Sequence, residues 1–379
     1  MTTDGPLQSD SDSAATGADS GSAPSGVVLS RLVVPASIAG PEASEFLEFV
    51  QVQVAIETEI AGNNDLEYAP EEILPAWHNT YLPRHGVVAK LDGRIIGDAV
   101  YYAAATGDAP EGWVTVEVAP EYRRQGIGRA LFDSIVEVAR ESGCRVLQSY
   151  CLSTDLSEPR LPSPTGFGSA PLNAASTQFA LSLGFTLEQV ERYSRLPLPA
   201  DADLVAQSLV EATAAAGDDY EIVSWQGDTP DEWVDDIALL ATRMSTDAPS
   251  AGLEATEDLW DADRVRAEEK LRADDPRIPL VAAAVHRPSG RLAGFTELSV
   301  PPEASRVVSQ EDTLVLREHR GHRLGMLLKL ANVQYLEAVH PGHPAIITFN
   351  AEENRHMLSV NEHVGFVPVG YEAVWKRDL

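Results

Sequence analysis

One feature constrains this chain more than any other: it states the same pattern twice. Residues 114–131 read VTVEVAPEYRRQGIGRAL and residues 311–328 read EDTLVLREHRGHRLGMLL, with Arg123 and Arg320, and Gly128 and Gly325, 197 positions apart. Asn173 and Asn354 then match at an offset of 181, as do Gly184-Phe185 and Gly365-Phe366, and Leu198 matches the final Leu379. Two linked offsets over such residues mark a duplicated unit. The change of offset falls on residues 153–172, rich in Pro and Gly, which the spacing predicts to be an insertion loop in the first copy, either a lid over a pocket or a mobile segment.

Each copy shows one element order. A short strand (27–34; 220–225) precedes helical sequence (43–60; 231–244), and a hairpin follows (87–91 with 95–102; 280–286 with 292–300). The motif strand comes next, then a helix (128–141; 325–339), a strand (145–151; 344–350), a second helix and a last strand. Ile127, Leu131, Ile135 and Val138, and then Leu324, Leu328, Ala331 and Tyr335, repeat at helical spacing, an apolar stripe fit to lie on a sheet. The expected class is α/β, an α+β mixed sheet in two tandem domains. The expected parts are an acidic, unstructured tail over 1–26, a first domain over 27–198, a linker helix within 199–218 and a second domain over 219–379.

A strand running into Arg-x-x-Gly-x-Gly and then a helix makes an anion site, because helix N-terminal amides lack partners and the helix dipole favours negative charge. Neither a Walker loop nor a GxGxxG fingerprint is present. The formal net charge of −30 excludes nucleic acid and anionic membrane surfaces as main partners. No ligand spacing supports a metal, although six of the nine His fall after residue 318. Two cysteines, Cys144 and Cys151, build no disulfide framework, and a reducing cytoplasm is the expected compartment.

The segment VEVAPEYRRQGIGRAL resembles motif A of the Gcn5-related N-acetyltransferase (GNAT) family, and the Asn…Gly-Phe pairs resemble its later helix and closing strand. Two such units in one acidic chain are similar to the tandem actinobacterial type, to which mycothiol synthases belong. The resemblance implies two acyl-CoA N-acyltransferase (GNAT) domains binding acetyl-CoA. Its pyrophosphate would lie on Arg123, Arg124, Gln125, Gly126, Ile127 and Gly128, and on Arg320, Gly321, His322, Arg323, Leu324 and Gly325. Its pantetheine would lie beside Val116 and Val118, and beside Thr313 and Val315, with Asn350 near the second site. It also implies direct acetyl transfer in a ternary complex to a primary amine of a small molecule or peptide. The alternatives are a mycothiol-synthase-like acylation of a cysteinyl sugar or a CoA-binding protein without turnover. Candidate bases are Glu117 in the first half and Glu311, Asp312 and Glu297 in the second, with Asn354 beside them. More polar groups converge in the second half, which favours it as catalytic. The first loop has Arg124 and Gly126 where the second has Gly321 and Arg323. Where many members carry a tyrosine acid, this chain has Ala180 and Asn361. A monomer or homodimer is expected.

Overall fold

The structure, a computed structural model, describes residues 24–105, 111–247 and 249–379. The tail expected over 1–26 therefore lies outside the described residues up to position 23. The first half comprises β1 (Val27–Arg31), α1 (Ser44–Ala61), α2 (Pro70–Trp77), β2 (Arg84–Leu91), β3 (Arg94–Tyr102), β4 (Glu111–Val118), α3 (Ile127–Glu141), β5 (Val146–Ser153), β6 (Arg160–Pro162), β7 (Ser169–Pro171), α4 (Ala175–Ser182) and β8 (Thr186–Pro197). After α5 (Ala202–Ala216) the second half comprises β9 (Tyr220–Gln226), α6 (Val234–Asp247), α7 (Ala262–Leu271), β10 (Ile278–His286), β11 (Arg291–Val300), β12 (Val308–Val315), α8 (Leu324–Val339), β13 (Ala345–Ala351), α9 (Arg355–Val364) and β14 (Val367–Asp378).

The two halves share a single 12-stranded sheet in the order β1-β2-β3-β4-β5-β14-β8-β13-β12-β11-β10-β9. Its centre is an exchange. The last strand of the second half, β14, pairs antiparallel with β5 of the first, and β8 of the first half pairs antiparallel with β13 of the second. The exchanged strands pair with each other, and the repeat-equivalent residues Glu191 and Glu372 face one another there. Trp375 and Tyr193 on these strands are essentially buried, so the seam is core rather than contact surface.

Loops cross the seam in both directions. Tyr68 hydrogen-bonds Ser309 at 3.2 Å, and the buried Glu72 of α2 pairs with Arg306 at 2.6 Å. In return, Gln148 of β5 exchanges hydrogen bonds with the backbone of Glu254, and Gln189 donates to Pro249 O at 3.1 Å.

The stripe on α3 is buried as expected, whereas on α8 Ala331 and Tyr335 are only half-buried. The cause is α5, which packs on α8 and sets Ala212 and Ala216 against Leu324, Leu327 and Leu328, so α8 is covered on two sides. The insertion at 153–172 is also more ordered than a plain loop. It folds back as the β6–β7 ribbon, Arg160 ties it to Ser169 Oγ at 2.7 Å, and Gly168, at φ 71°, lies so close to Val190 that a Cβ would stand 2.7 Å away. Helices α2 and α7 were not anticipated. Each is short and starts from a cap, through Glu72 accepting from Ala69 N–H and Asp261 from Arg264 N–H.

Candidate active site

Both motif segments form elbows between strand and helix. In the first, Arg123 N–H donates to Pro120 O and Ala130 N–H to Gly126 O. Between them the amides of 124–129 donate to no protein acceptor among the described residues. The second elbow repeats this between Arg320 and Leu327, leaving the amides of 321–326 free of protein acceptors among the described residues. Rows of unpaired N–H groups at a helix N-terminus are the chemistry a diphosphate requires.

The interchange of Gly and Arg now has a reason. Each elbow needs two left-handed residues. These are Arg124 (φ 62°) and Gly126 (φ 88°) in the first and Gly321 (φ 90°) and Arg323 (φ 55°) in the second. One Gly and one Arg fill the pair in opposite order, and Arg323 takes the costlier place directly before its helix.

Arg123 and Arg320 are engaged within the protein. Arg123 Nε donates to Val118 O at 2.8 Å and its other nitrogens hold Glu59, while Arg320 Nε donates to Val315 O at 3.0 Å and pairs with Asp247 at 2.7 Å. Each guanidinium pins strand to elbow and is neutralised by an acid from the half's first long helix, so the donors left free at the elbow are backbone amides. Gln125 returns its side-chain amide to Glu121 O, Ile127 and Leu324 anchor their helices in the core, and His322 lies against the Tyr220 ring at 5.2 Å. A Cβ on Gly128 would meet the Phe179 ring at 3.1 Å, whereas one on Gly325 would meet nothing within 4 Å.

Above each elbow the sheet opens. Parallel pairing of β4 with β5 covers only Glu111–Trp113, and that of β12 with β13 only Val308–Ser309. Beyond these residues the facing edges diverge, leaving strand amides unladdered beside Val116 and Val118 and beside Thr313 and Val315. Thr313 itself shares a hydroxyl contact with Thr296 at 2.7 Å.

The two openings differ in their acids. In the first, Asp98 on β3 and Glu117 on β4 are cross-strand partners. Asp98 is fully buried, its Oδ1 receives the Gln53 amide at 3.2 Å, and its Oδ2 has no partner. The Oε2 of Glu117, the candidate base of this half, is out of solvent and, among the described residues, also unpartnered. Burial, reinforced by Asp98 and Glu57, holds the Glu117 carboxyl well above the usual range; burial pushes Asp98 up to about 8 and Glu57 on α1 up to about 7. Glu372, carried in on β14, is pushed up to about 8 by burial, with Glu191 and Glu57 adding repulsion. Cys151 is pushed up to about 12 by burial, which removes the thiolate an acyl-cysteine route needs.

In the second opening Glu311 and Asp312 reach solvent at the surface while protein surrounds them, the situation of a cleft wall. Burial, then Glu297 and Asp312, pushes Glu311 up to about 7. Here cations stand by: Arg272 lies 3.6 Å from Glu297, and Arg272 and Arg277 both act on Glu311. Asn350 at the end of β13 accepts from Asn361 at 2.6 Å, and Asn361 Oδ1 is left unpartnered. Asn354 is occupied as the cap of α9, accepting from Met357 N–H at 3.2 Å. Ala180 is buried and apolar, as its sequence position implied.

Sequence reasoning missed Asp98, Glu57, Glu191 and Glu372. Asp98 had a signal, a lone acid in the apolar run RIIGDAVYY, and Glu191 and Glu372 match at the repeat offset of 181.

Residues 54–159, from α1 through β5, match the acetyltransferase (GNAT) family. The chain carries a GNAT acetyltransferase domain. The second half repeats its elements, and the whole architecture is similar to a tandem GNAT protein from the clavulanic acid biosynthesis pathway, with a TM-score of 0.70 at 24% identity over 93% of this chain and 98% of that one. A GCN5-related N-acetyltransferase from Sphaerobacter thermophilus is similar in fold, with a TM-score of 0.58 at 14% identity over 94% and 97% of the two chains. In sequence the chain is 26% identical over 293 residues to a mycothiol acetyltransferase of Thermobifida fusca (strain YX), covering 76% of this chain and 78% of that protein. Acetyl transfer is thus the activity class of this chain, carried by two GNAT folds in tandem. Among the described residues no helix is long and apolar enough to cross a membrane.

Proposed function

We propose that the chain acetylates a primary amine by direct transfer from acetyl-CoA in a ternary complex, in the opening of the first half, with Glu117 as base. The observation that carries this reading is a coincidence in one place. There the amides of 124–129 lack acceptors, the β4 edge is unladdered, and a Glu117 carboxyl oxygen is buried without a partner. These groups fit acetyl-CoA, which would supply the thioester; the elbow amides would hold its diphosphate and β4 would flank the acyl group.

Glu117 then has a defined task. An ammonium entering beside Asp98 and Glu117 brings the counter-charge that burial withholds, and the carboxylate so stabilised takes one proton from the nitrogen. The strand amides of β4 face the oxygen on which charge develops. As the N–C bond forms the C–S bond breaks, and the nitrogen's second proton passes to the departing sulfur through water, since Ala180 offers no acid.

The test is a thiol-release assay over a panel of amines. Glu117→Gln is expected to lower kcat by about 10²- to 10³-fold while calorimetry still detects coenzyme A; unchanged turnover overturns the role of Glu117. One observation favours a second reading, the gathering of Glu311 with Glu297 and Asp312 in the second opening, where burial pushes Glu311 up to about 7. Loss of turnover in Glu311→Gln, with Glu117→Gln active, moves the reaction to the second half.

A further inference from the structure

Beyond β5, which flanks the first opening, and beyond β13, which flanks the second, the next strand belongs to the other half, and in the first half that strand brings an acid. β14 lies directly beside β5, with Glu372 opposite Leu152 and, on its other side, opposite Glu191. Glu372 acts on Tyr150 and Cys151 of β5, and Glu57 of α1 acts on both Glu117 and Glu372, so Glu57 stands between two acidic ends. One end is the Asp98–Glu117 pair on β3 and β4. The other is the Glu372–Glu191 pair on β14 and β8. From β4 to β14 there are two strand spacings, about 10 Å before the divergence of β4 from β5 is added.

Among the described residues no cation acts on Asp98, Glu191 or Glu372. The cation acting on Glu117, Arg123, is already held by Glu59 at 2.8 Å. Asp98 Oδ2 and Glu117 Oε2 are buried without any partner. Carboxylates buried without partners are costly, and a bound cation is the simplest relief. In the second half, by contrast, Arg272 and Arg277 already occupy that role.

We propose that the acceptor is a linear molecule with two amines, one presented to Glu117 for acetylation and the other held as an ammonium by Glu372 and Glu191 across the seam. This rests on the proposed function above. Only the first nitrogen loses protons and gains the acyl group. The second keeps its charge, so the product is a monoacetylated monocation that grips the site at one end alone and leaves more readily than a dication would.

The experiment uses the full chain with acetyl-CoA and a series of linear α,ω-diamines, each beside the monoamine of equal length. In the unaltered chain kcat/KM is expected to favour the diamine by tenfold or more, the factor that about 1.4 kcal/mol of ion pairing gives. In Glu372→Gln and in Glu191→Gln the ratio of kcat/KM for diamine over monoamine is expected to fall by about tenfold, carried mainly by KM. A ratio near one in the unaltered chain, or one that neither variant moves while amines are still acetylated, overturns the diamine and leaves the acetyl transfer standing. Failure of every amine to release thiol overturns the parent reading and this one with it. Because Gln replaces a buried acid at equal volume, thermal unfolding of each variant identifies any loss that is only structural.

Discussion

On α3 of the first half Phe132 packs against Phe185 at 5.8 Å. At the repeat-equivalent positions of the second half stand Lys329 and Phe366, with the ammonium 5.7 Å from the ring. Ile135 likewise becomes Asn332, buried, with its amide donating to Leu280 O and Thr296 O and, among the described residues, its Oδ1 unpartnered. In the sheet the trend reverses, since Asp98 and Glu117 of the first half correspond to the apolar Phe295 and Leu314, which join the core under α6. The duplicated backbone thus carries its buried polar groups on opposite sides: in the cleft strands of the first half, in the motif helix of the second. A buried polar group next to an opening can meet a ligand, whereas one inside a helix–sheet interface only costs stability.

The largest effect that would break this comparison concerns the seam. Ending the chain after Phe366 removes β14 and exposes the edges of β5 and β8 together; the truncated protein is expected to lose cooperative unfolding altogether in calorimetry. A first half that still melts cooperatively would show it to be independent.

Next in size is Lys329→Met. Burial lowers the Lys329 amine from 10.5 to about 7, and among the described residues it has no ion-pair partner. The unfolded chain therefore binds more protons between pH 7 and 10.5, and the burial cost is full at and below the lower value. Urea denaturation is expected to show the variant more stable by on the order of 3 kcal/mol at pH 7, with the gain fading as pH rises toward 10.5.

Asp98→Asn should act with the opposite pH dependence. Because the folded carboxyl is raised from 3.8 to about 8, the native state holds the extra proton, and stability falls as pH climbs through that window. The gain on substitution is expected to be absent near pH 3.8 and to reach on the order of 2 kcal/mol near pH 8, with acetyl transfer impaired throughout.

The smallest contrast lies in the elbows. Arg323→Gly relieves a left-handed residue and is expected to add about 0.5–1 kcal/mol, while Gly126→Ala imposes one and costs about 1 kcal/mol, both read from melting curves.

Much of the architecture was legible because the repeat reports itself at fixed offsets and the strands and striped helices obey local periodicity. Pairing between halves was not, because a strand's sequence states which face is apolar and not which neighbour it joins. For the same reason the acids divided unevenly. Glu117, Glu311 and Asp312 sit inside the recognised motif, whereas Asp98 lies one strand earlier inside an apolar run and Glu372 arrives on a strand of the other half. Arg123 and Arg320 were visible as charges, but their service as tethers depended on Glu59 and Asp247, acids that no spacing connects to them. The Arg–Gly interchange looked like a defect until the dihedral angles showed two left-handed positions that each elbow fills in its own order.

The seam also sets an order on synthesis. On a translating ribosome the first half can be fully extruded and still lack the neighbour of β5, because residues 367–378 emerge after the whole of it. Until then β5 has a bare edge and Glu372 is absent from it. The polypeptide therefore completes the sheet beside its first half only once the second half has been made.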